Sequence, residues 1–184
     1  MFMPSKSKIK GSNYERTVAA RLTAIYKEQF IRNITGSGAY VGGTNRYRKH
    51  VLTEQQIRSA KGDITPPESF KLLNAECKSY SDFSYHQLLS GKCNQLDQWI
   101  EQLLEASDPD DCNVLFFKIT RKSEWVAVES NKPWNLSGSY IKYISDSFGS
   151  WSILDIDQFF MTNQAEFQRY CSSDISDIST TLIP

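Results

Sequence analysis

Apolar residues recur at helical spacing in two long stretches and crowd into short runs elsewhere. Tyr14, Val18, Leu22, Ile25 and Tyr26 fall on one stripe and predict a helix over residues 13–29. Ser12 suits its N-cap, and Glu15 three positions on completes a capping-box pattern. Leu88, Leu89, Leu96, Trp99, Ile100, Leu103 and Leu104 mark a second helix over 84–105, weakened near its start by Gly91. Short runs at 30–34 and 72–78 have strand character, with a Pro66-Pro67 break between them. The run at 114–119 is apolar on both faces and predicts a buried strand paired with 125–128 across a charged hairpin. Beyond residue 130 the pattern predicts a strand over 139–144, short helices at 155–161 and 165–171, and a loosely held tail. The sum is an α/β fold, a central mixed β-sheet flanked by helices. A basic arm (1–11) precedes the main domain (12–130), which carries a basic inserted segment at about 40–61, and a C-terminal extension with the tail (131–184) follows.

Composition narrows the class. With 184 residues, 40% hydrophobic and 12% aromatic, the chain can bury a core without disulfides. No apolar stretch approaches membrane-spanning length, and the first residues lack the apolar segment of a signal peptide, so an intracellular protein with no membrane partner is expected. Cys77, Cys93, Cys112 and Cys171 form no CxxC pair, and with His50 and His86 as the only histidines a zinc site is not expected.

Formal net charge is zero, yet it is unevenly spread. Residues 1–61 hold 12 basic and 3 acidic side chains, and residues 62–184 hold 9 basic and 18 acidic ones. An excess of that sign beside one segment points to a polyanionic partner. Lys10, Arg16, Arg46, Arg48, Lys49, Arg58 and Lys61 are the expected DNA contacts. Tyr40 and Tyr47 in the same segment suit either stacking on bases or packing the loop. Gly36-Ser37-Gly38 likewise admits two readings, close backbone approach to a phosphate or a hairpin turn.

The chemistry centres on Gly62-Asp63 and Glu76-Cys77-Lys78. On a strand Glu76 and Lys78 share a face while Cys77 points away. With Asp63 on a neighbouring strand, two carboxylates and the Cys77 main-chain carbonyl offer hard oxygen ligands to one divalent cation. Lys78 is left to orient or deprotonate the attacking water. Glu15 is either the capping-box residue or a further acid of the metal site. Mg2+ is the expected cofactor, with Mn2+ able to replace it.

Taken in order, Lys10-Gly11-Ser12-Asn13-Tyr14-Glu15-Arg16, Gly36-Ser37-Gly38-Ala39, Gly62-Asp63-Ile64 and Glu76-Cys77-Lys78 resemble the motifs of archaeal-type Holliday junction resolvases, members of the PD-(D/E)xK nuclease superfamily. The resemblance spans roughly the first 130 residues. It implies a restriction-endonuclease-like fold, Glu15, Asp63 and Glu76 as metal-site acids, Lys78 as the catalytic lysine, and Ser37 on a loop near the cleaved strand. It also implies a homodimer that resolves four-way or other branched DNA by paired nicks leaving 5′-phosphate ends. The segment between Ala39 and Asp63 is longer than in compact members of that family, and the region after residue 130 has no counterpart in it. Two other readings stay open: a sequence-specific or homing-type endonuclease of the same fold cutting double-stranded DNA, and a non-catalytic module that binds branched DNA.

Overall fold

The computed structural model of the chain describes residues 6–34 and 40–172. Helix α1 (Lys6–Tyr26) leads to a short strand β1 (Ile31–Arg32), a 3₁₀ helix (Gly43–His50), α2 (Glu54–Arg58), β2 (Ile64–Thr65) and β3 (Leu73–Tyr80). Then follow α3 (Tyr85–Leu89), α4 (Asn94–Glu105), β4 (Cys112–Ile119), β5 (Glu124–Glu129), β6 (Tyr140–Ser145), β7 (Gly149–Asp155) and α5 (Ile156–Cys171).

The main sheet has the strand order β3-β4-β5-β7-β6, and β1 and β2 form a separate antiparallel ribbon. Only β3 and β4 run parallel, because the α3–α4 crossover returns the chain to the same end of the sheet. The remaining pairs are antiparallel, so the sheet is mixed, as the pattern of runs predicted.

Alternation along the strands assigns each face. Ala75, Cys77, Val114, Phe116, Val126, Val128 and Leu154 pack with Tyr14, Val18 and Leu22 of α1 and with Phe159 and Phe167 of α5. Leu115, Phe117, Ile119, Ala127, Trp151 and Ile153 pack on the other side against Leu96, Trp99, Ile100 and Leu103 of α4. Since side chains alternate along a strand, Cys77 faces α1 and α5 while Glu76 and Lys78 face α4.

Several elements depart from expectation. Helix α1 begins at Lys6, so Ser12 and Glu15 lie inside it and form no capping box. It stops at Tyr26 because Lys27 adopts a left-handed conformation, φ 59°. The helix predicted over 84–105 is two helices, parted where Gly91 takes φ 70°. The basic segment is a 3₁₀ helix followed by α2, which Thr53 and Gln56 close with a capping box. Residues 156–171 form one helix, with the carboxylate of the N-cap Asp155 accepting from the N–H groups of Asp157 and Gln158.

Strand β7 was not predicted, and it lies between β5 and β6 with Trp151 fully buried. The region read as an extension therefore supplies two of the five strands and a helix of the main core. No helix of the described residues is long and apolar enough to cross a membrane.

Candidate active site

Asp63 reaches β3 through two contacts. Its N–H donates to the Ala75 carbonyl at 2.7 Å, and its carboxylate accepts from the Cys77 N–H at 2.8 Å. This approach explains Gly62, which sits at φ 54°, and on which a Cβ would stand 2.3 Å from the Ala75 oxygen. The β1–β2 ribbon steadies the same turn: the Asn33 N–H donates to the Asp63 carbonyl at 2.8 Å, and the Asn33 amide donates to the Gly62 carbonyl at 3.0 Å.

Glu76 lies one residue before the Cys77 clamp and is buried. The Lys78 ammonium donates to Glu76 Oε1 and to Gln102 Oε1 on α4, each at 2.6 Å. Glu76 and Asp63 are within hydrogen-bonding reach of one another. Burial and then the charge of Glu76 push Asp63 up to about 7, against the pull of the Cys77 N–H. Burial also raises Glu76, opposed by the Lys78 ammonium. The Cys77 thiol is pushed well above its ordinary range by burial, which suits its packing role.

Two carboxyls driven toward protonation, Glu76 buried and Asp63 half-buried at the edge of one strand, fit a hard divalent cation. Both supply oxygen donors, and the cation's charge would relieve the repulsion that raises Asp63. A residue's C=O lies on the same side of a strand as its N–H, so the Cys77 carbonyl faces the same edge as the Asp63 clamp.

Glu15 lies close enough for its charge to raise both acids, but its carboxylate is paired with Arg32. Among the described residues no three His, Cys, Asp or Glu side chains gather closely enough to hold an ion. The arrangement thus brings together Asp63, Glu76, the Cys77 main chain and Lys78, and keeps Glu15 beside them in an ion pair.

The expected DNA contacts separate into groups. Ser37 and the side chain of Lys10 lie outside the described residues. Arg16 is exposed, donates to Asn13 at 3.1 Å, and shares with Arg32, Ile31 and Ile34 the wall of a surface cleft of about 380 Å³. Much of the basic segment is engaged by the protein itself. Arg46 donates to the Ser107 carbonyl at 2.7 Å, and Lys49 to the Ala106 carbonyl at 2.9 Å and to Asp108 at 2.7 Å. These two cations cap the end of α4, where carbonyls lack helical partners. Arg58 pairs with Glu68 at 2.6 Å, and Lys61 is buried against Asp108 and Asp111. Arg48 differs: its guanidinium lies 4.6 Å from the Tyr40 ring centroid and 5.9 Å from that of Tyr47, both exposed.

Arg32 and Gln102 carry no signal in the sequence. Arg32 is one charge in a two-residue strand, and Gln102 borders the apolar stripe of α4 as an ordinary polar position would. Only the packing of α4 on β3 brings the amide to Lys78.

The sequence model of the family described as "Phage putative PDDEXK endonuclease" matches residues 6–175. The chain belongs to this family. No curated protein and no solved structure matches the chain. The PDDEXK assignment makes the protein a PD-(D/E)xK nuclease, and the resemblance drawn from the motifs holds at the level of that superfamily. Gly62-Asp63 and Glu76-Cys77-Lys78 stand in the order of the letters of that name, with a departure, glycine where the pattern has its proline. The structure supplies the reason for that departure, since proline cannot adopt the positive φ of Gly62. The match also runs past β7 and α5, in keeping with their place in the sheet and core.

Proposed function

We propose that this nuclease is a divalent-metal-dependent DNA endonuclease that nicks branched DNA, with a second copy of the chain supplying the second cut. The observation that carries the metal-dependent chemistry is the meeting of Asp63 and Glu76 at the β3 edge with Lys78 bonded to Glu76. Asp63, Glu76 and the Cys77 carbonyl would hold the ion, Mg2+ in the cell with Mn2+ able to replace it. When bound, the ion withdraws charge from the scissile phosphate and lowers the pKa of a bound water.

The chain's own groups do the rest. The Cys77 N–H fixes the Asp63 carboxylate, so the ligand is placed before substrate arrives. Lys78 presents its ammonium beside Glu76 and donates to the attacking water or to a phosphate oxygen. Arg16 and Arg48 remain to meet the phosphate backbone.

The preference for branches is supported by the four ordered motifs that resemble junction resolvases. Paired nicks need two sites, and the described residues form one such site, hence the second copy. Matched four-way, flap and linear DNAs, each incubated with and without Mg2+, test the whole reading. Metal-dependent nicking strongest on the four-way substrate is expected. Cleavage of one linear sequence in preference to junctions would favour the sequence-specific alternative, and no cutting of any form would favour a binding module.

A further inference from the structure

We propose that Gln102 is a positioning residue that sets the orientation of Lys78 and offers its own amide N–H to the substrate phosphate; this deepens the nuclease reading and rests on it. Lys78 is mostly buried, its side chain 11% exposed, and its ammonium donates at 2.6 Å to both Glu76 Oε1 and Gln102 Oε1. An ammonium has three N–H bonds and no acceptor. Two of the three are therefore fixed among the described residues, one by the strand and one by the helix, and the direction of the third follows from them.

The same chemistry orients Gln102. Lys78 can only donate, so the amide must turn its oxygen to the ammonium, and its NH₂ group is left on the other side. Gln102 is exposed on α4, whose buried stripe of Trp99, Ile100 and Leu103 holds the helix against the sheet. One side chain thus joins the catalytic ammonium to the solvent side of the site, where a polyanionic backbone would approach. An ordinary surface glutamine in that place would bond to water at little cost, whereas here its oxygen takes a short bond from a nearly buried cation.

The test uses the full chain with two variants of similar length. Gln102→Met removes both polar atoms. Gln102→Glu keeps an oxygen for Lys78 but replaces the amide donor by an anion. With a four-way DNA probe and Mg2+, Gln102→Met should lower kcat about tenfold, the scale of one lost hydrogen bond to a charged group. Gln102→Glu should hold kcat near the wild-type value and raise KM several-fold. The neighbouring exposed Gln98→Met should leave both unchanged. Equal effects of the two Gln102 variants on kcat and KM would overturn the proposal.

A second measurement needs neither metal nor DNA. In the free protein an amine-acylating reagent should label Lys78 several-fold faster, relative to the other lysines, in Gln102→Met than in wild type or Gln102→Glu, as read by peptide mass spectrometry. Unchanged labelling would mean that Gln102 does not hold the ammonium. If no DNA is cut by the wild type, the nuclease reading fails while this labelling still decides whether Gln102 holds Lys78.

Discussion

Lys61 and Asp111 form a buried ion pair, the ammonium donating to the two carboxylate oxygens at 2.9 and 2.6 Å. Asp108 completes the knot, accepting from Lys61 at 2.7 Å and donating its N–H to Asp111. A lysine two residues before the candidate metal ligand Asp63 thus anchors the 60–63 turn to the start of β4. Lys61→Met should leave a buried carboxylate without its main partner and cost about 3–5 kcal/mol of stability. Urea unfolding followed by circular dichroism measures this loss, and a stability within 1 kcal/mol or so of wild type would return Lys61 to the list of DNA contacts.

Asp63→Asn and Glu76→Gln preserve shape while weakening the hard-oxygen site. Each should reduce metal-dependent nicking by about a hundredfold or more. Lys78→Met should act similarly on rate. Gel-shift affinity for the same DNA should change little, and retained nicking in either carboxylate variant would remove that residue from the site.

Stability should depend on pH through Asp63. Its folded-state value, raised to about 7 from an ordinary 3.8, means the folded protein keeps a proton that the unfolded chain has released between those limits. The contribution of this group is therefore full below about pH 4 and is lost as pH rises through about 7. Metal-free thermal melts across that window should show a fall that Asp63→Asn flattens. Added Mg2+ competes with the proton, so its stabilisation should grow with pH across the same range.

Arg48 is the residue of the basic segment whose guanidinium lies over exposed tyrosine rings, whereas Arg46 and Lys49 are turned toward the end of α4. Arg48→Ala should reduce the slope of log affinity against log salt by about one. Arg46→Ala with Lys49→Ala should leave that slope nearly unchanged and lower stability instead. Salt titrations of four-way DNA binding distinguish the two.

Helix α5 is part of the core. Phe159 is fully buried against Trp134, Phe160 and Phe167, so Phe159→Ala should destabilise the whole domain by about 3–5 kcal/mol. A cooperative unfolding transition at wild-type denaturant would instead mark the C-terminal region as a separate appendage.

The chain's own order of residues determined the strand that carries Glu76 and Lys78, whereas Asp63, expected on a neighbouring strand, lies in the bend before β2. Period-two alternation put Glu76 and Lys78 on one face of β3, and the double-sided apolar run at 114–119 foretold a buried neighbour. Gly62 before Asp63 takes a positive φ, a conformation that glycine there permits. Local pattern fails where partners are distant in sequence. Nothing near Glu15 foretells Arg32, nothing near Lys78 foretells Gln102, and a count of basic residues cannot separate a cation facing solvent from one held by Asp111. Strand β7 has no clear apolar pattern because its polar Ser150 and Ser152 interrupt the run, although Ser152 is buried and bonds to Ser130. Charges and amides act over a few ångströms, and only the packing of α1, α4 and the β1–β2 ribbon onto one sheet edge decided which of them meet.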